Sequence, residues 1–249
     1  MRAVWAAAIA AVVGGATVGA APLVVESGAQ WVLTSMAPLT TFIQLTNHTI
    51  AFVNERLPES DPVPPLPAVR DGVGLRFTEA WGEGLMVGAQ LSLAKVETAT
   101  QGVWTQGGTE HPVRLALEAQ LATVEAELAF TVVADLFCIG LSAGWGLANL
   151  HYLGEFPTAL PTDWSVPFLP RNEDRAYTVH GPVGAAFTRV SLPLGSGLSV
   201  GLEAGFRVAP LGVPQAGTVP LDLNADGSGD PLDFSGLWLG LTVRLAFTL

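Results

Sequence analysis

The richest run of metal-ligating side chains is Asp222-Leu223-Asn224-Ala225-Asp226-Gly227-Ser228-Gly229-Asp230-Pro231-Leu232-Asp233. A twelve-residue calcium loop places oxygen ligands at positions 1, 3, 5, 7, 9 and 12, with glycine at position 6. Counted from Asp222, these are Asp222, Asn224, Asp226, Ser228, Asp230 and Asp233, with Gly227 at the sharp turn. Hard oxygen donors in this number suit Ca²⁺, the one cofactor the sequence suggests. Position 8 is Gly229, where an apolar residue is usual, and position 12 is Asp, which reaches less far than Glu. The competing reading is an acidic surface loop, since Asn, Asp, Gly and Ser are ordinary turn residues.

A second set consists of charges on alternating positions expected to face inward: Arg76, Arg114, Arg207 and Arg244, opposed by Glu118, Glu127 and Glu203. Charges removed from water must pair, because an unpaired buried ion is very costly. They form either a salt-bridged core or the selectivity lining of a pore. An interior of eight strands is just wide enough to be filled by side chains, which favours the core. His48, His111, His151 and His180 are scattered. His151 and His180 should lie near the outer ends of neighbouring strands, within reach of Glu155, Glu173 and Asp174. A lipid-hydrolysing centre would also need a nucleophile beside such a histidine. No HExxH, CxxC, GxSxG or phosphate-loop pattern occurs, so an enzyme is not expected.

These groups must be positioned by strands. Leu237, Leu239, Leu241, Val243, Leu245, Phe247 and Leu249 alternate strictly with Gly236, Trp238, Gly240, Thr242, Arg244, Ala246 and Thr248. That length exceeds the usual soluble strand and suits a tilted membrane-spanning one, which needs about 9–11 residues. Leu198 to Val208 repeats the pattern after the turn Pro193–Gly197, as does Phe137 to Leu147. A strand over Ala176 to Leu192 needs a bulge near Thr188-Arg189, where apolar parity switches. Parity also switches near Thr123 between Val113–Leu121 and Val124–Val132, which predicts one long bulged strand. Leu85–Leu93 and Val73–Phe77 complete seven strands. The eighth candidate is Thr40 to Val53; if that segment is a helix, the break at Thr123 becomes a hairpin instead.

Composition points the same way. The 249 residues are 49% hydrophobic and only 13% charged, with mean hydropathy +0.44. Beyond the N-terminus no run of about 18 uncharged apolar residues could form a spanning helix, and 28 Gly and 18 Pro oppose helices generally. Net charge is −11 with one lysine, Lys95, so nucleic acid is not an expected partner. Cys138 is the single cysteine, so no intrachain disulfide is possible. Arg2, the apolar stretch Val4–Val18 and Val18-Gly19-Ala20 read as an export signal over residues 1–20, leaving 21–249 as one domain. Long polar, Pro-rich connections at 54–70, 153–175 and 210–233 alternate with short turns near 82, 135 and 195. Trp81, Trp104, Trp145, Trp164, Trp238, Tyr152 and Tyr177 fall near strand ends, as in interfacial girdles.

The fold class expected is all-β: an antiparallel up-and-down transmembrane barrel of eight strands. Over roughly residues 40–249 the chain resembles the small outer-membrane barrels of bacteria, of the outer-membrane protein X or W kind. Gly240, Leu245 and Phe247 of the last strand carry the most specific likeness, although the chain ends Phe247-Thr248-Leu249 rather than in Phe or Trp. The resemblance implies the bacterial outer membrane, outer-membrane lipid and the barrel-assembly machinery as partners, and interaction through outward loops. A passive channel for small or apolar solutes is the alternative function, a lipid-modifying barrel enzyme the second. A soluble secreted β-sandwich is the alternative fold.

Overall fold

The computed structural model describes residues 23–34, 37–57, 59–68, 72–81, 84–133, 136–157, 164–166 and 168–247. The export-signal expectation for residues 1–20 lies outside them. Eight strands are β1 (Leu23–Thr34), β2 (Gly72–Trp81), β3 (Leu85–Gln106), β4 (Thr109–Val133), β5 (Phe137–Glu155), β6 (Glu173–Gly195), β7 (Leu198–Val208) and β8 (Gly236–Phe247). Each pairs antiparallel with the next, and β8 pairs back onto β1, with Leu23 opposite Phe247 and Thr34 opposite Gly236. The ring is therefore closed and leaves no free edge at that level. This excludes the β-sandwich.

Two points of the expected topology change. The first strand is Leu23–Thr34, and Thr40–Val53 lies inside a helix, α1 (Ala37–Arg56). Leu39, Phe42, Ile43, Thr46, Thr49, Ile50 and Val53 are its buried residues, a spacing of three and four that fits a helix and no strand. The hairpin tied to that alternative does not form at Thr123. Nor do the bulges at Thr123 and Thr188-Arg189, because pairing runs unbroken through both positions.

What changes there is the environment. On β4, Val113, Leu115, Leu117, Ala119, Leu121, Thr123, Glu125, Glu127 and Ala129 all face inward in one parity. The apolar residues simply move from the inner face to the outer. Outward positions Val124, Leu128, Phe130 and Val132 are exposed and apolar, whereas Arg114 and Gln120 are exposed and polar. β6 repeats this: Tyr177 and Val183 face in, while Val190 and Leu192 face out. Lys95, Gln120, Asn149 and Thr178 stand opposite one another across β3 to β6 and mark where the outer face turns polar.

The molecule thus has two storeys with opposite solvent preference. The lower carries an outer apolar belt that includes Leu141, Leu192, Leu202, Leu239 and Leu241, with Leu202 64% exposed. A soluble protein does not present such a surface, and lipid covers it. Strands β1, β2, β7 and β8 have 10 to 12 residues, close to one tilted span. The upper storey exists because β3, β4, β5 and β6 run on to 19–25 residues. The long connections between β1 and β2, β5 and β6, and β7 and β8 share this end with the Gly107-Gly108 hairpin turn, whereas the short turns that join β2 to β3, β4 to β5 and β6 to β7 lie at the other, so the upper storey is on the side expected to face outward from the cell.

That outer head has a core like a soluble domain. Trp104, Leu115, Leu117, Leu150, Tyr152, Phe156 and Tyr177 are buried in one cluster with Leu39, Phe42, Ile50 and Val53 of α1, and Tyr152 meets Phe42 edge-on at 5.9 Å. Trp104 is fully buried, meets Phe156 edge-on at 5.3 Å and donates from Nε1 to Asn54 Oδ1 at 2.7 Å. A Pro-rich strap follows α1. Asn47 and Asn54 each clamp one strap residue reciprocally: Asn47 donates to Leu66 O at 2.8 Å and accepts from Leu66 N at 2.6 Å. Asn54 does the same to Val63, at 2.9 and 3.0 Å. The spacings match, since seven helical residues rise about 10.5 Å and three residues of polyproline-like chain about 9.3 Å. On the strap's other side Thr98 and Thr100 donate to Pro67 O and Pro64 O at 2.6 and 2.7 Å. The strap thereby covers the part of β3 that rises beyond β2, an edge that would otherwise invite pairing.

The segment between β7 and β8 closes the mouth. Ala209 and Phe234 are joined by a backbone bond of 3.1 Å, and Leu232 pairs with Gly212. Its Leu211, Leu221, Leu223, Leu232 and Phe234 are buried. Leu211 reaches the inward-facing Gly146 and Gly181, where a Cβ would approach within 3.5 and 3.4 Å of it.

Candidate functional site

The inward parity of the lower strands carries buried polar side chains that bond to one another. Arg189 on β6 is 3% exposed and makes a fork to three strands. Its Nε donates to Glu203 Oε2 at 2.9 Å, Nη1 reaches Glu26 Oε2 at 3.1 Å and Nη2 reaches Glu127 Oε1 at 3.5 Å. A planar guanidinium suits such multiple contacts better than a point charge. Arg207, 1% exposed, heads a second chain from β7 across to β3 and β4. Its Nη2 donates to Ser92 Oγ at 3.2 Å and to Gln30 Oε1 at 3.5 Å. Ser92 and Thr123 hydroxyls lie 2.7 Å apart, Thr123 donates to Glu125 Oε1 at 2.6 Å, and Ser142 donates to Glu125 Oε2 at 2.5 Å. Thr123 spends its one proton on Glu125, so Ser92 must donate to Thr123 while accepting from Arg207. The chain is a hydroxyl-bridged ion pair whose bonds polarise one another. Phe187 and Trp238 fill the space beside Gly140 and Gly205, where a Cβ would clash with their rings.

The sequence-derived charge set is divided by the structure. Glu127, Glu203 and Arg207 are buried in the lumen. Arg244 is half-buried on the same face, with Nη2 3.5 Å from Met86 Sδ. Arg76 stands opposite Gly28 and Ser92 in the ladders. Arg114 and Glu118 are corrected: both lie on the outer wall of the head, since lumen parity on β4 belongs to the odd positions. Arg189, Glu26 and Glu125 were missed. Arg189 was hidden by the supposed bulge, and Glu26 by the unrecognised first strand.

On the outer wall Lys95 pairs with Glu97 at 2.7 Å and Glu118 at 3.1 Å. The two carboxylates raise its ammonium pKa, and Lys95 holds Glu118 below the usual carboxylate range. These residues and His151 line a lateral cleft of about 800 Å³ beside Pro67, just above the apolar belt. His151 Nε2 lies 2.7 Å from Asp174. His180 lies tilted against Trp145 at 5.8 Å and stands opposite Leu147, whereas His151 stands opposite Ala176, so these two histidines are not brought together. Glu173 instead accepts from Tyr177 at 2.7 Å; burial first, then Glu173, pushes that phenol up, and burial does the same to Tyr152. Of the aromatic residues expected in girdles, Trp145 is on the outer surface, whereas Trp104, Trp238, Tyr152 and Tyr177 are buried. Trp31, 46% exposed on β1, is an outer aromatic the pattern did not single out.

In the acidic loop Asp222 Oδ2 accepts from Arg171 Nη2 at 2.5 Å and from Gly227 N at 3.2 Å. Asn224 Oδ1 accepts from Asp226 N at 3.0 Å. Asp226 accepts from the Ser228 amide at 2.7 Å and from its hydroxyl, which lowers the Asp226 pKa. Asp230 Oδ2 accepts from Leu223 N at 2.5 Å, and Asp233 Oδ1 from Ser235 N at 2.8 Å. The six positions therefore do not all converge. Among the described residues no group of three or more His, Cys, Asp or Glu is arranged to hold a metal ion.

No known family and no curated protein matches the chain. Among solved structures it is similar to Ail, the attachment invasion locus protein of Yersinia pestis, in complex with the heparin analogue sucrose octasulfate. Identity is 9% and the TM-score 0.44, over 92% of this chain and 100% of that one. It is also similar to the outer membrane protein OprG from Pseudomonas aeruginosa, at 9% identity and TM-score 0.45, over 92% of this chain and 97% of that one.

Proposed function

We propose that this outer-membrane β-barrel is a sealed anchor that holds a folded interaction head at the cell surface. The observation that carries the reading is the continuity of the filling. Charged and hydroxyl side chains occupy the lower lumen, and the Trp104 core, α1 and the 209–235 segment continue it upward. A barrel built for passage would leave an aqueous path, whereas eight strands leave room only for side chains. The work of the molecule then falls to the outer wall and loops of the head. Outer-membrane lipid surrounds the belt, and assembly by the barrel-insertion machinery is part of the proposal.

Single-channel recording in planar bilayers tests it. The expected result is no steady conductance from the folded protein. Stable unitary steps would contradict the sealed lumen and favour a channel for small solutes. The reading includes no catalytic step: His151, with Asp174 as its partner, is more than half exposed on the wall. Replacing His151 and His180 is expected to leave the membrane's lipid composition unchanged, as measured by mass spectrometry; an altered lipid profile would restore the enzyme reading.

A further inference from the structure

We propose that the 222–233 loop binds one Ca²⁺ through the side chains of Asp222, Asn224 and Asp226 and the Ser228 carbonyl. The inference is independent of the sealed-anchor reading. The first half of the loop already has the shape such a site requires. Gly227, at position 6, has φ +86°, and Gly227 N bonds to the Asp222 carboxylate at position 1. Ala225, at position 4, has φ +59°, the one non-glycine positive φ among the described residues. Shape alone would describe any tight acidic turn. The independent sign is Asp222 itself. Its side chain is 6% exposed, and Oδ1 is buried with no hydrogen-bond partner, although the loop lies on the watery face of the head. A carboxylate oxygen stripped of water and left without a donor is unstable, and a cation satisfies it directly.

Arg171 does not fill this role, because its guanidinium binds Oδ2 and leaves Oδ1 open. It lowers the charge available to a metal and so weakens the site. Asp230 and Asp233 hold backbone amides of Leu223 and Ser235, which leaves fewer ligands than a full calcium loop has. Few ligands and a neighbouring cation place the site in the weak range of extracellular modules, with Kd on the order of 10⁻⁴–10⁻³ M. Ca²⁺ is favoured over Mg²⁺, which demands a tighter octahedron. Bound there, the ion would tie the segment between β7 and β8 into the closed arrangement over the barrel mouth.

Calorimetric titration of the full-length folded barrel in detergent with CaCl₂, and with MgCl₂ for comparison, tests the proposal. The expected wild-type result is saturable binding of one Ca²⁺, absent with Mg²⁺ at the same concentrations. Asp226→Asn, on an exposed residue, is expected to weaken binding about tenfold or more. Arg171→Gln is expected to tighten it several-fold by removing the competing cation. No saturable binding to wild type or Arg171→Gln up to about 10 mM would overturn the proposal, as would unchanged affinity in Asp226→Asn. Heat-modifiable gel migration verifies that each variant is folded.

Discussion

Arg189→Met is expected to be the most damaging single substitution in the lumen. It removes the one guanidinium that reaches Glu26, Glu127 and Glu203 together, and leaves those carboxylates in a region almost closed to water. Breaking a buried ion network by deleting one partner costs about 3–5 kcal/mol, because the remaining charges stay desolvated. Urea unfolding in lipid vesicles should show an unfolding free energy lower by that amount, with the midpoint moved to lower urea, and heat-modifiable migration should weaken. Arg189→Lys keeps the charge but replaces a three-way fork by a point donor, so it should fall between wild type and methionine. An Arg189→Met barrel as stable as wild type would mean that Arg189 does not organise the lumen.

Trp104→Ala is expected to have the largest effect on the head. The ring is fully buried, contacts Phe156 and bonds to Asn54, the residue that also clamps Val63 of the strap. Removing a buried tryptophan costs about 3–5 kcal/mol. The loss should fall on the upper storey, because the lower ring has its own ladder and lumen network. Limited proteolysis should then cut near residues 57–70 while the membrane-embedded strands stay protected. Val103, next in sequence but 43% exposed on the outer face, provides the control. Val103→Ala should change stability by no more than about 0.5 kcal/mol. Equal proteolytic resistance in Trp104→Ala and wild type would contradict a head held by this core.

The barrel was legible where both faces of a strand kept one environment along their length. β7, β8 and the lower part of β5 alternate apolar-out and small-or-polar-in from end to end, so period two was enough. β4 and β6 cross from lipid to water. There the inner face changes from polar to apolar just as the outer face changes from apolar to polar, and the eye reads a parity slip. A bulge and a change of solvent leave the same trace in a hydrophobicity pattern. Only the register distinguishes them, through pairs such as Ser92–Thr123 and Thr123–Gly146 that continue without a break. The misreading had a consequence for the site, because it hid Arg189 and assigned Arg114 and Glu118 to the lumen.

β1 escaped notice because Leu23-Val24-Val25 opens it without alternation, and Glu26 and Gln30 are inward residues that look like a soluble surface. α1 was ambiguous because Thr46 and Thr49 sit within its buried face and dilute the apolar period. The Asn47 and Asn54 clamps depend on distant chain meeting the helix, and no local pattern announces them. Trp238 was read as a girdle residue from its position near a strand end, but its parity, shared with Thr242, points it into the lumen. The acidic loop was legible as a ligand pattern. That Arg171 approaches it from 51 residues away was not.

The reversal of solvent preference along β4 is the central claim, and cysteine labelling along its outer face tests it most directly. Single cysteines at even positions from 112 to 132, in a Cys138→Ala background, would be treated with a membrane-impermeant maleimide on the lipid-embedded protein. The account predicts rapid labelling at 112, 114, 116, 118 and 120, and protection from 122 through 130, with the boundary beside Gln120. Labelling of 124, 126 and 128 as fast as 114 and 118 would contradict it, because the exposed Val124 and Leu128 face would then be meeting water rather than lipid.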